Sequence, residues 1–392
     1  MTSRSGMKRQ CSCGQSLSIF NGDKWPQPAS PRFRVSQPEI VIEDIEAVSS
    51  ALSEGWVGSG APQVQAFEDD LESLVGQPCL AVSNGSVALI LALSALGVGP
   101  SDQVIVPALT YAASASSVLH VGAEPIFVDV DKQTWNVDLE KVRQAIGPRT
   151  KAVIAVNLYG VSSDLRELRS LCDARNIFLI EDSAENFSGY AFGSRSGTWG
   201  HIGTFSFFAN KSVALGEAGA VTSQSPFLID EMRSLRGQGM SPDVRYYFDK
   251  PGYNFRLSGM TAALGVSVLA RFSESFEKRM LVEETYALEL EECAVRPVAL
   301  EGTIRAPWIF TAELSKGSPL DLARHLSQFG IETRPVFIPM GLMSAFEDLE
   351  CKGCIVSTSI HSKGISLPTY NSLELTDVRK ISAEVRSWFD SH

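Results

Sequence analysis

An α/β fold with a mainly parallel sheet is predicted for this chain, and three observations predict it. Short apolar runs alternate with helix-patterned segments from Cys79 to Glu181, the arrangement that lays helices over the faces of a parallel sheet. Each break between them is polar or glycine-bearing, as at Ser83-Asn84-Gly85-Ser86, which is the local chemistry of a strand turning into a helix. The chain has 392 residues, 44% of them hydrophobic, more than one apolar core usually organises, so a second domain is expected.

Taken in order, residues 1–32 mix Ser, Gln, Gly and Pro with little periodic apolar content and read as a loose N-terminal arm. A large domain is expected over 33–270. In it CLAV at 79–82 is a strand, Val87 to Leu96 a helix, QVIVP at 103–107 a strand, Thr110 to His120 a helix and PIFVDV at 125–130 a strand. AVIAV at 152–156 and IFLIE at 177–181 continue the sheet, with a helix over 165–176 between them. A long helical stretch from Ala262 to Leu290 bridges to a smaller α+β C-terminal domain at 271–392. There PWIFTAEL at 307–314 reads as a strand and LDLARHLSQFG at 320–330 as a helix.

The net charge of -11 carries no Lys/Arg-rich run, so a nucleic-acid partner is not expected. No apolar stretch reaches the roughly 18 residues a membrane span needs, and the basic Lys8 and Arg9 precede no apolar signal-peptide core. A cytoplasmic protein with no membrane partner is the expectation. Seven cysteines, an odd number, lack the density of a disulfide framework. A four-thiolate zinc site from Cys11, Cys13, Cys351 and Cys354 requires distant segments to meet, and no metal is expected.

Ligands of such sheets sit beyond the carboxyl ends of the strands, so residues there are read for chemistry first. In FSFFANKSVALGEAG, Lys211 follows an apolar strand. It is either a surface lysine at a strand end or a partly buried amine, depressed in pKa and able to attack an aldehyde. Asp182, after IFLIE, is either a helix cap or a carboxylate that keeps a pyridine nitrogen protonated. Glu185 lies three residues on, within reach of the same side of a ring. The Ser83-Asn84-Gly85-Ser86 break serves equally as a helix cap or as a phosphate seat, since glycine there lets backbone N–H groups approach an anion. Tyr111 is a core aromatic or a stacking partner for an aromatic cofactor. No GxGxxG follows any of these strands, which counts against a dinucleotide site.

Together the segments GWVGSG, NGSVALILAL, VPALTYAASA, FVDVDKQTWNVD, IEDSAE, GTFSFFANKSVALGEAG, LRGQGM, GYNFRLSGMTAALG and TRPVF span most of the chain. In that order they resemble the DegT/DnrJ/EryC1/StrS family of sugar aminotransferases. The motifs lean toward its perosamine-synthase-like members. The resemblance implies the fold-type-I, aspartate-aminotransferase-like architecture and pyridoxal 5'-phosphate as cofactor. It implies that Lys211 forms the Schiff base, Asp182 faces the pyridinium nitrogen and Glu185 stands beside the ring hydroxyl, where many members have Gln. Gly85, Ser86 and Ser206 would hold the phosphate, Tyr111 would stack on the ring, and Asn254 would reach the phosphate of a neighbouring subunit, which requires a homodimer with a shared site. The chain departs from the commoner pattern in NGSVAL, in GEAG after the lysine, and in Asn157, where His is frequent; the last two changes bear on the substrate pocket.

The implied reaction moves an amino group from glutamate or glutamine to a nucleotide-linked 4-keto-6-deoxyhexose. A 3-keto sugar or a keto-cyclitol of the scyllo-inosose type is an alternative acceptor. Lys211 favours transamination over the dehydration run by relatives with His at that position. Arg256 and Arg334 are candidates for gripping a diphosphate or the donor carboxylate, because guanidinium pairs bidentately with either. Readings of other classes are a non-catalytic cofactor-binding or scaffolding subunit and a nucleotide-dependent α/β protein.

Overall fold

A computed structural model describes residues 24–391 together with the backbone of Lys8–Gln10 and Ser16–Ser18, which pair antiparallel. The remaining residues before 24, including Cys11 and Cys13, lie outside the described residues, and so does most of the expected arm. From residue 24 on, that arm touches the body: the Trp25 indole N–H donates to the Thr333 carbonyl at 2.9 Å.

The centre is a seven-stranded sheet. Its strands in chain order are β1 (Cys79–Val82), β2 (Gln103–Pro107), β3 (Glu124–Val128), β4 (Thr150–Val156), β5 (Phe178–Asp182), β6 (Ile202–Ser206) and β7 (Gly219–Thr222). Their order across the sheet is β1-β7-β6-β5-β4-β2-β3. From β6 to β3 all neighbours are parallel, while β7 runs antiparallel to both β6 and β1. Most strand residues are buried, as a sheet covered on both faces demands.

Several helices start where short polar side chains accept the first free amides. α1 (Ile42–Ser53) and α2 (Pro62–Val75) pack on α8 (Gly259–Ala270). Asn84 caps α3 (Gly85–Ala95) by accepting from Val87 N at 3.0 Å, and α4 (Ala112–His120) follows β2. α5 (Leu139–Ala145), α6 (Leu165–Arg175) and α7 (Pro226–Arg236) carry Asp138, Asp164 and Ser225 at their caps. Among the described residues, no helix is long and apolar enough to cross a membrane.

The expected helix from Ala262 to Leu290 is two, α8 and α9 (Phe272–Glu289), broken at Arg271. Arg271 turns its guanidinium onto the buried Asp44 of α1, at 2.8 and 2.5 Å, and that pairing fixes the bend. The strand expected over 125–130 stops at Val128, because the Asp129 carboxylate accepts from Val356 N at 2.8 Å and Ser357 N at 2.9 Å. It thereby caps α11 (Ile355–Lys363), which comes after α10 (Pro319–Gln328). Of 307–314 only Thr311–Leu314 is strand.

A second apolar cluster joins α9, α10 and α12 (Leu375–Ser391) to a four-stranded sheet built from Ala294–Val295, Thr311–Leu314, Gly364–Ser366 and Arg334–Pro335. Membership is not sequential. Phe33 belongs to this cluster, whereas Val336, Met340, Cys351, Cys354 and Ile360 pack with the central sheet.

Gly160 is where the two regions are pinned together. It has φ +78, and a Cβ there would stand 1.9 Å from the Ala306 carbonyl oxygen. Its own carbonyl accepts from Ala306 N at 3.0 Å. Gly160→Ala should therefore cost at least about 1–3 kcal/mol from the backbone conformation alone. Urea unfolding at equilibrium measures it, and an unchanged midpoint would contradict this role.

Candidate active site

The site is a cavity of about 550 Å³ at the carboxyl ends of the parallel strands. It is lined by Gly85, Ser86, Tyr111, Asp182, Glu185, Ser206, Lys211 and Arg334, eight of the residues singled out from the sequence. Strand ends place most of them. Asp182 closes β5 and Ser206 closes β6, Gly85 and Ser86 open α3, and Tyr111 is the residue before α4.

At one end of the cavity the first amides of α3 have no acceptor within their own helix and carry the positive end of its dipole. Gly85 lies against Ser206, and a Cβ on it would come 2.7 Å from the Ser206 Cβ. Only glycine lets the helix start this close to the Ser206 side chain. The arrangement fits a phosphate.

Asp182 is 5% exposed. Ser114 Oγ donates to its Oδ2 at 3.1 Å and Ala184 N to its Oδ1 at 3.2 Å. Glu185 accepts from Tyr159 N at 3.0 Å and stands 3.5 Å from Lys211 Nζ. Burial pushes both carboxyls up, and the nearby ammonium of Lys211 opposes it. Burial pushes the Lys211 amine down, while Glu185 and Asp182 pull it back up and Arg334 adds to the depression. A depressed amine beside elevated carboxyls gives up its proton more readily than an exposed lysine does. The surface-lysine alternative is overturned, since the Lys211 side chain is only 12% exposed.

Tyr111 is no core aromatic. It is 62% exposed at the cavity rim, its ring 5.8 Å from that of Phe337. Three expected residues lie off the cavity wall. Asn157 is fully buried beneath the sheet end and is corrected from pocket to foundation. Its amide donates to Glu181 Oε1 at 2.9 Å and Ser183 Oγ at 3.1 Å, and its carbonyl accepts from Ser163 N. Glu181 points away from Asp182 on the same strand and collects Gly197 N at 2.6 Å and Trp199 N at 2.9 Å as well. Asn254 is exposed and Arg256 half-buried beside β1, bonded to each other at 3.3 Å.

The wall also holds residues the sequence patterns did not single out. Trp308, Tyr159 and Phe337 form a stack, with centroids 5.8 and 5.5 Å apart and interplanar angles of 15° and 17°. Tyr159 holds a left-handed backbone, φ 48 and ψ 38. The Tyr-Gly pair before a break was the one local signal; Trp308 and Phe337 had none.

Residues 38–386 match the DegT/DnrJ/EryC1/StrS aminotransferase family. The GDP-perosamine synthase of Caulobacter vibrioides is 36% identical to the chain, over 90% of the chain and 97% of that relative. That of Vibrio cholerae is 34% identical, over 91% and 99%. Among solved structures, DesV of S. venezuelae, in complex with a ketimine intermediate, superposes with a TM-score of 0.83 at 30% identity, covering 88% of this chain and 95% of DesV.

Glu185 gives a pH prediction. Its carboxyl is raised in the fold above the ordinary value near 4.3. The folded state therefore holds the proton over a pH range where the unfolded chain has lost it, and stability falls as pH rises through that window. In ligand-free protein, Glu185→Gln should lose less thermal stability between about pH 4 and pH 7 than the parent does. A steeper loss in the variant would mean that attraction to Lys211 outweighs burial.

Proposed function

The chain belongs to the DegT/DnrJ/EryC1/StrS aminotransferase family and is a pyridoxal-phosphate-dependent sugar aminotransferase, and on that premise we propose that it transfers an amino group from glutamate or glutamine to a nucleotide-linked 4-keto-6-deoxyhexose. The observation that carries this reading is the meeting of Lys211, Asp182, Glu185 and the start of α3 in one cavity. Amine, acid and anion seat in one cavity support binding of a pyridine aldehyde phosphate.

Pyridoxal phosphate, when bound, supplies an aldehyde for exchange with amines and a ring that accepts the electron pair left as a Cα proton departs. The residues of this chain do the rest. The amides of Gly85 and Ser86 and the Ser206 hydroxyl seat the phosphate at the α3 terminus. Asp182, steadied by Ser114, keeps a proton on the ring nitrogen. Glu185, fixed by Tyr159 N and next to the amine, would face the ring oxygen. Lys211 would hold the cofactor through its amine and, when that amine is free, would serve as the general acid and base that moves the proton. Tyr111 covers the rim, and Arg334 offers its guanidinium to the donor carboxylate or to the diphosphate.

The size of the cavity leaves room for a sugar beyond the cofactor, and the names of the two relatives support a nucleotide-linked acceptor. Asn254 sits on the outer surface, off its own cavity wall, which suits a phosphate contact in the site of a second copy. Exposed Trp56, Val57, Met240, Tyr246, Tyr247 and Phe248 give apolar surface for the homodimer this requires.

Incubation with glutamate and a panel of nucleotide-linked keto sugars, starting with GDP-linked ones, should exchange oxygen for an amine in a 4-keto-6-deoxyhexose, read by mass. Lys211→Ala should lose about 10²–10⁴-fold or more. If 2-oxoglutarate forms while no such sugar is aminated, the acceptor class is wrong; a 3-keto product would favour the alternative acceptor.

A further inference from the structure

We propose that Trp308 is a positioning residue for Lys211, its indole face forming the seat that the amine occupies whenever that amine is free. The inference rests on the reading of Lys211 as the residue that carries the cofactor. Lys211 Nζ lies 4.0 Å from the centroid of the Trp308 ring, within the range where an aromatic face attracts an ammonium. Glu185 Oε1 is 3.5 Å from the same nitrogen, so the amine is held between a ring and a carboxyl.

The ring and its peptide are held from several sides. Its Nε1–H donates to the carbonyl of Asn210, the residue before Lys211, at 2.8 Å, which ties the seat to the backbone of its occupant. Tyr159 stacks on the ring at 15°. The Trp308 peptide is gripped at both ends by α9: its N–H donates to Glu283 Oε1 at 3.0 Å, and its carbonyl accepts from Arg279 Nη1 at 3.0 Å. Arg279 and Glu283 are 3% and 2% exposed. Glu283 also pairs with Arg296 at 2.8 Å, and Arg279 donates to Asn371 at 3.0 Å.

Buried ion pairs of this kind are often no more stabilising than apolar residues of like size. Neither charge lines the cavity. Both help fix one peptide, and the ring of that residue faces the lysine. In the reaction the displaced amine must accept a proton from one carbon, persist as an ammonium, and give the proton to another. A fixed aromatic face on one side stabilises the ammonium without competing for its hydrogens. The charged groups that face it are Glu185 and Asp182, which favour the ammonium, and Arg334, which disfavours it.

The test uses cofactor-free protein and the rate at which it captures pyridoxal phosphate across pH, since only the neutral amine attacks the aldehyde. Trp308→Leu should move the midpoint of that profile down by about one pH unit, because the ammonium has lost its aromatic face. Trp308→Phe, which keeps a smaller face, should fall between. Thermal unfolding identifies folded variants, and if the Leu variant does not fold, Trp308→Phe and Trp308→Tyr carry the test. An unmoved midpoint in folded variants overturns the proposal, as does an upward one, which would mean that solvent access governs the amine. Covalent capture persisting in Lys211→Ala would instead overturn the reading of Lys211 itself.

Discussion

Everything in this molecule that bears on chemistry depends on burying an amine and two carboxyls in one cavity at the end of a parallel sheet. Isolated buried charges are costly, so such groups persist only when they satisfy one another and are bonded to fixed partners. Lys211 has Glu185 at 3.5 Å, Glu185 has the Tyr159 amide, and Asp182 has Ser114 and the Ala184 amide. Burial favours the uncharged forms of amine and acids while their attraction restrains the shift, which brings the proton affinities of the two kinds of group closer together.

The sheet makes that burial possible. Parallel order from β6 to β3 brings the ends of strands distant in sequence to one edge, where Asp182 and Ser206 are the last residues of adjacent strands. Period-two geometry sends Glu181 to the opposite face from Asp182, where it collects backbone amides from Gly197 and Trp199 and the Asn157 amide. One strand thus supplies both an acid for the cavity and an anchor for the loop behind it. The far wall comes from the 306–310 segment, whose Trp308 and Ile309 pack with the central-sheet cluster while Phe310 joins the second one; the segment is tied to the sheet by Gly160 and to α9 by Arg279 and Glu283.

Much of the site was legible because its signals are local. A strand that runs into Asn84 and Gly85 announces a capped helix, while Asp182 and Lys211, each following an apolar strand, carried two readings apiece until the family resemblance gave them roles. What was not legible arises from pairings distant in sequence. Nothing near Trp308 indicates that its peptide will be held by α9 or that its ring will meet Lys211, 97 positions earlier in numbering. The break at Arg271 is invisible in the helical pattern because its cause, Asp44, lies on α1. Asn157 was tied to the substrate pocket because the resembling family often has His at that position, yet its side chain bonds to Glu181 and Ser183 and lies off the cavity wall. Position at a strand end predicts neighbourhood, and side-chain direction decides the role.

The most direct measurement is reduction of the cofactor-loaded protein with borohydride, followed by digestion and mass mapping of the labelled peptide. The account predicts one added pyridoxyl-phosphate group on the peptide containing Lys211. Label on a different lysine, or active protein that acquires no label, would contradict it.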